Sequence, residues 1–158
     1  MTNPLGLRDF SHVTVRVSDI ERALAFYRDG LGLRVLFDLV LEGEGLEAVT
    51  GVKGARGRMA GLLVPGAGKA SIELMWFERP RSERPPAGRF TGYGNVSLAV
   101  GDLDAAHAAC TARGLRPLQQ PIAVGGVRMF FLADPDGTPI EIVEFPGGKT
   151  TSAAFNGA

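Results

Sequence analysis

Cysteine is nearly absent from this chain, and histidine is scarce. The single thiol, Cys110, excludes an internal disulfide and any site built on several thiolates. Charge of one sign is also missing, because seventeen basic and seventeen acidic side chains cancel to a formal net charge of zero. That balance argues against a nucleic-acid or anionic-membrane surface, both of which need a basic excess. It also gives little protection against self-association, so a homodimer is expected. No apolar run approaches the length needed to cross a bilayer, and the opening MTNPLGLRDF lacks the apolar core of a secretion signal. The expectation is a reduced, cytoplasmic protein whose partner is a small molecule, not a nucleic acid or a membrane.

What is present is a balanced globular composition, 45% hydrophobic and 22% charged, arranged as a repeat. HVTVRVSDIERALAFYRDGLGL near the start is echoed by NVSLAVGDLDAAHAACTARGL. Each is followed by a segment with one glutamate among apolar residues, first SIELMWF and then PIEIVEF. A repeat of this length is one structural unit that needs a partner to bury its apolar face.

The pattern within each copy reads as βαβββ. Residues Phe10 to Val17 alternate, with Val13, Val15 and Val17 on one face and His12, Thr14 and Arg16 on the other. Ser18 and Glu21 have capping-box spacing, so a helix is expected from about Asp19, with Ile20, Ala23, Leu24 and Tyr27 as its apolar stripe. Gly30 and Gly32 stop it. Strands follow at Leu33–Leu41, Arg58–Val64 and Ala70–Phe77, with a glycine-rich loop at Glu42–Gly57 that has room for a short helix. The arginine- and proline-rich stretch from Glu78 to Gly92 reads as a linker. The second copy places strands at Asn95–Val100, Leu115–Val124, Val127–Ala133 and Pro139–Phe145, with a helix from Asp102 to about Arg113. DPDG at Asp134–Gly137 is turn chemistry. The fold class is therefore α+β, two paired βαβββ modules curling mixed sheets around a shared cleft with helices outside. Their bounds are 8–78, a linker at 79–92, then 93–146, and a tail at 147–158.

Aligning the copies puts His12 opposite Asn95, Thr14 opposite Ser97, and Glu73 opposite Glu141. Each glutamate lies between aliphatic neighbours that face the helices, so by alternation both share the side of His12 and Asn95. An imidazole, an amide and two carboxylates are then expected to face one enclosed region. Two carboxylates in a dehydrated cleft are costly unless a cation, a shared proton or arginine partners offset them. A divalent ion bound by histidine nitrogen and carboxylate oxygens resolves the conflict most simply. Met75, Phe77, Val143 and Phe145 continue the same face, and with Thr14 and Ser97 they are candidate pocket residues.

These segments, with LADPDGTPIEIVEF and the doubling of the module, resemble the vicinal oxygen chelate superfamily over residues 8 to 146. That superfamily includes glyoxalase I, methylmalonyl-CoA epimerase, extradiol dioxygenases and bleomycin-binding proteins. The resemblance implies metal ligands at His12, Glu73, Glu141 and, weakly, Asn95. It implies one divalent ion (Ni, Co, Mn, Fe or Zn), with Glu73 and Glu141 as catalytic carboxylates. The implied activity is that of a lyase or isomerase acting on vicinal substrate oxygens through an enolate-like intermediate. Asn95 departs from the pattern, since the third position is commonly histidine in the metalloenzymes and an amide oxygen is a weak neutral donor. The departure leaves a metal-free, drug-binding protein as the alternative. It counts further against a ring-cleaving dioxygenase, whose iron takes two histidines and a carboxylate. The second histidine, His107, shares a helical stripe with Leu103, Ala106 and Cys110 and reads as structural, with Cys110 a small buried apolar residue. Arg16, Arg58 and Arg128 read as solvated surface charges, with an anionic substrate group as their alternative partner.

Overall fold

The computed structural model describes residues 12–67, 72–82, 95–124 and 127–148. The chain is α+β and carries two four-stranded mixed sheets of the same topology. Its strands are β1 (Val13–Arg16), β2 (Arg34–Glu42), β3 (Arg56–Leu63), β4 (Ile72–Arg79), β5 (Val96–Ala99), β6 (Ile122–Val124), β7 (Val127–Ala133) and β8 (Pro139–Glu144). The helices are α1 (Ile20–Leu24), which runs on into a π-helical turn at Ala25–Gly30, α2 (Glu44–Thr50) and α3 (Leu103–Ala112). Two compact units divide the chain, one of Met1–Glu21 with Gly32–Glu83, the other of Arg22–Leu31 with Arg84–Ala158. Most of the first helical segment is thus counted with the second copy's residues.

In the first unit the sheet order is β1-β4-β3-β2, with β1 parallel to β4 and the other neighbours antiparallel. The expected alternation holds on β1, where Val15 is buried while Thr14 and Arg16 are exposed. Ile72 and Leu74 on β4 and Ala60 and Leu62 on β3 continue the buried face. Asp19 Oδ1 accepts from the Glu21 amide at 3.0 Å and so supports the start of α1. The glycine-rich segment does contain a helix, α2, closed by Gly51 in the left-handed conformation that glycine adopts without penalty.

The second unit repeats this order as β5-β8-β7-β6, again with the first strand parallel to the last. Asp102 caps α3 by accepting from the Ala105 amide, and Glu144 on β8 accepts from the Leu103 amide at 2.8 Å. Together they satisfy two of the orphan donors at a helix start. Leu103 and Cys110 bury the apolar edge of α3 against β7 and β8. His107 packs edge-on to Phe130, with ring centroids 5.0 Å apart. The DPDG segment is a turn, as its residues imply, and Asp134 organises it from a buried position. Its Oδ1 accepts from the amides of Asp136 and Thr138, and its Oδ2 from the Tyr27 hydroxyl at 3.1 Å.

One device is built twice. Arg58 on β3 donates to Glu21 in the first turn of α1, and Arg128 on β7 donates to Asp104 in the first turn of α3. Both carboxylates sit at the positive end of a helix, where negative charge is favoured. Arg58 also donates to both oxygens of Asp38 on β2, each at 2.7 Å.

Three expectations need correction. The strand placed at Leu115–Val124 shrinks to Ile122–Val124, because Pro117 and Pro121 have no N–H to give a ladder. The Leu118 amide reaches across, to the Phe131 carbonyl at 2.7 Å. The linker starts later than placed, since Glu78 and Arg79 belong to β4. The last strand ends at Glu144, leaving Phe145 outside it. The rest of the linker beyond Ser82 and the tail beyond Gly148 lie outside the described residues.

Two consequences can be measured. A Cβ at Gly57 would lie 2.6 Å from the Trp76 carbonyl oxygen and 2.8 Å from Met75 Cε, and backbone cannot yield as a side chain can. Gly57→Ala should therefore lower stability by about 1–3 kcal/mol in urea unfolding. The second concerns acid. The Arg58 hydrogen bonds hold the Asp38 carboxyl below its usual range near 3.8. The pair's contribution is complete above that unfolded value and is lost as pH falls through the lower folded one. Asp38→Asn should flatten the loss of stability below about pH 5 in a pH series of unfolding curves. The difference should stay under about 1 kcal/mol, because both side chains remain partly exposed.

Candidate functional site

Each unit presents one polar pair, and the two pairs occupy equivalent places. In the first, Thr14 on β1 stands opposite Glu73 on β4, and His12 lies two residues before Thr14 on the same face. His12 Nε2 is 3.2 Å from Glu73 Oε2, an ion pair when the imidazole is protonated. The Glu73 side chain is 13% exposed and that of His12 37%, so the carboxylate is shielded while the imidazole keeps access to solvent. In the second unit Ser97 on β5 stands opposite Glu141 on β8, with Asn95 two residues before Ser97. Asn95 Nδ2 donates to Glu141 Oε2 at 3.2 Å. The amide thus meets its carboxylate as the imidazole meets its own.

The parallel pairing produces this equivalence. A strand that precedes its partner in sequence and runs alongside it brings residues far apart in the chain to one end of the sheet. The aliphatic residues on either side of each glutamate fix the register: Ile72 and Leu74 are buried, as are Ile140 and Ile142. A slip of one residue would bury the carboxylate and expose the aliphatics.

The chemistry of these donors fits a divalent cation in kind, since imidazole nitrogen and carboxylate oxygen are ordinary ligands for first-row metals. In number, either pair supplies two donors. Among the described residues, no three His, Cys, Asp or Glu side chains are grouped so as to hold a metal ion. Catalytic metal sites commonly use three protein ligands and one open position.

Of the remaining candidates, Thr14 and Ser97 are exposed, Met75, Phe77 and Val143 are buried, and Phe145 is intermediate. Arg58 and Arg128 are not simply solvated. They are tied to carboxylates, and those hydrogen bonds raise both guanidinium pKa values further. Burial raises the Cys110 thiol pKa and keeps it a packing residue. The sequence reading missed one feature. A cleft of about 280 Å³ in the first unit is lined by Arg16, Thr50, Phe77, Arg81 and Ser82 among others. Arg81 and Ser82 lie in the stretch read as a linker, where composition gives no sign of a site.

Comparison with known proteins places this geometry in a family. Lactoylglutathione lyase of Haemophilus influenzae is 29% identical over 142 residues, covering 88% of this chain and 94% of that protein. An uncharacterized protein of Escherichia coli K12, YaeR, is 30% identical over 147 residues, covering 89% and 98%. The crystal structure of a glyoxalase family protein from Bacillus cereus superposes with a TM-score of 0.75 at 22% identity, covering 91% of this chain and 98% of that one. A family model matches residues 9–142, and the chain belongs to the Glyoxalase/Bleomycin resistance protein/Dioxygenase superfamily.

Proposed function

We propose that this protein is a metal-dependent lyase or isomerase acting on a small substrate with two neighbouring oxygens. The observation that carries the reading is the doubled polar pair, His12–Glu73 and Asn95–Glu141, each at 3.2 Å and at the same register of a parallel strand pair. Family membership and the likeness to a lactoylglutathione lyase support it. The reading requires His12, Glu73 and Glu141 as ligands, with Asn95 as a weak neutral donor. When bound, a divalent ion supplies Lewis acidity toward the substrate oxygens and so favours loss of a proton from the adjacent carbon.

The chain's own residues do the rest. Glu73 takes that proton onto its carboxylate and returns it to the neighbouring carbon, so an isomerisation consumes no co-reactant. His12 Nε2 lies 3.2 Å from Glu73 Oε2, beside the carboxylate that moves the proton. Met75, Phe77, Val143 and Phe145 supply apolar surface for the organic part of the substrate, with Thr14 and Ser97 as hydroxyl contacts. A second copy of the chain is the expected protein partner. Leu36 and Val40, 52% and 57% exposed on the edge strand β2, support that reading. The buried lone thiol suits a reduced, cytoplasmic setting.

Asn95 favours one alternative, a metal-free protein that binds a ligand without transforming it. Metal analysis separates the two. Protein purified without added metal should carry about one transition-metal ion per chain, and His12→Ala and Glu141→Ala should lose it. Metal-free protein that still binds an aromatic ligand would support the alternative. Glu73→Gln should lower kcat by about 10²–10⁴-fold for any substrate found, the usual contribution of a positioned base.

A further inference from the structure

The sheet of the first unit ends on an open edge. β2 pairs with β3 on one side, and among the described residues no strand pairs with it on the other. At nine residues it is also the longest described strand. Such an edge offers a row of unpaired N–H and C=O groups as a template for another strand, and proteins commonly blunt it with lysine or proline. β2, with the sequence RVLFDLVLE, has neither. A bulge between Val35 and Phe37 disturbs only its start, because Phe37–Glu42 runs in regular register with β3.

The side chains of β2 suit a covered strand. Leu36, Leu39 and Val40 are three of the six exposed large apolar side chains among the described residues, so that surface is concentrated on this edge. The one charge in mid-strand is Asp38, and Arg58 already donates to both of its oxygens, each at 2.7 Å. A second strand there would not meet a bare carboxylate. The two ends of β2 carry opposite signs, Arg34 at the start and Glu42 at the finish. Antiparallel pairing with an identical strand sets start beside finish, and so acid beside base, whereas parallel pairing would stack like charges. Among the described residues Arg34 forms no ion pair, and Glu42, though held by Arg56, keeps most of its side chain in solvent.

We propose that two copies of the chain associate through antiparallel pairing of their β2 edges, with Arg34 of each set toward Glu42 of the partner subunit. The proposal rests on the reading above that a second copy is the protein partner, and it names the surface that serves. Main-chain hydrogen bonds supply the pairing, and the apolar side chains on β2 leave water with it. The contact is isologous, so it consumes both edges and closes at a dimer. The corresponding edge of the second unit, β6, spans three residues and offers too short a ladder to compete.

Sedimentation velocity of the full-length protein, over about a hundred-fold range of concentration, should show monomer and dimer in equilibrium and nothing larger. Amide exchange along β2 should slow as the dimer fills. Leu36→Lys and Val40→Gln, both at exposed positions, should each weaken association about ten-fold while leaving the circular dichroism of the monomer unchanged. Arg34→Glu, which sets acid beside acid, should weaken it by a similar factor, and added salt should recover part of that loss. A protein that stays monomeric throughout would overturn the proposal and the second-copy reading together. A dimer that all three variants leave intact would overturn the edge pairing alone. So would β2 amides equally protected at every concentration, since the chain itself would then cover the edge. His12→Ala should leave association unchanged, which keeps this result separate from the metal reading.

Discussion

The parallel contact between the first and last strand of each module is the constraint on which the rest depends. It is short, four residue pairs in each sheet, running Val13–Arg16 beside Ile72–Met75 and Val96–Ala99 beside Ile140–Val143. Yet it brings His12 to Glu73, about sixty positions apart, and Asn95 to Glu141, 46 apart, at one sheet end. The next amide beyond each strand extends the ladder in the same way, Val17 to the Met75 carbonyl and Val100 to the Val143 carbonyl. Aliphatic burial on one face locks the register, and the polar pairs on the other face follow from it.

Electrostatics is arranged around that frame. With equal numbers of acids and bases a strand arginine can find a carboxylate, and Arg56, Arg58 and Arg128 do. Arg58 and Arg128 fasten helix starts to the sheets, and Arg56 joins β2 to β4 through Glu42 and Glu78. These pairs are partly exposed and individually weak. Arg16, Arg34 and Arg79 form no ion pair among the described residues. Asn95 donates to Glu141 where the first unit sets an imidazole beside Glu73.

The repeat made much of the fold legible, because period-two alternation on β1 and the helix starts near Asp19 and Asp102 are local signals that tertiary packing did not override, although the cap observed on α1 is Asp19 and the one expected was Ser18. That each glutamate lies on the polar face of its strand was legible from its aliphatic neighbours, whereas the pairing of His12 with Glu73 and of Asn95 with Glu141 came from the parallel strand register. Local chemistry misled where prolines interrupted an otherwise apolar run before β6. It was silent where β4 ran on into the linker, since nothing in ERP marks a strand end.

The sequence alone determined the doubled module, the alternation that puts one glutamate per module on the polar face, and the near-absence of thiols and histidines. Those follow from residue types and periods, which act within a few residues. The tertiary structure decided what distance along the chain conceals. It placed Tyr27 on Asp134, spent Arg58 and Arg128 on acids, grouped Arg22–Leu31 with the second copy, and set Arg81 and Ser82 beside Arg16. Such pairings depend on register and packing between segments that no local period encodes.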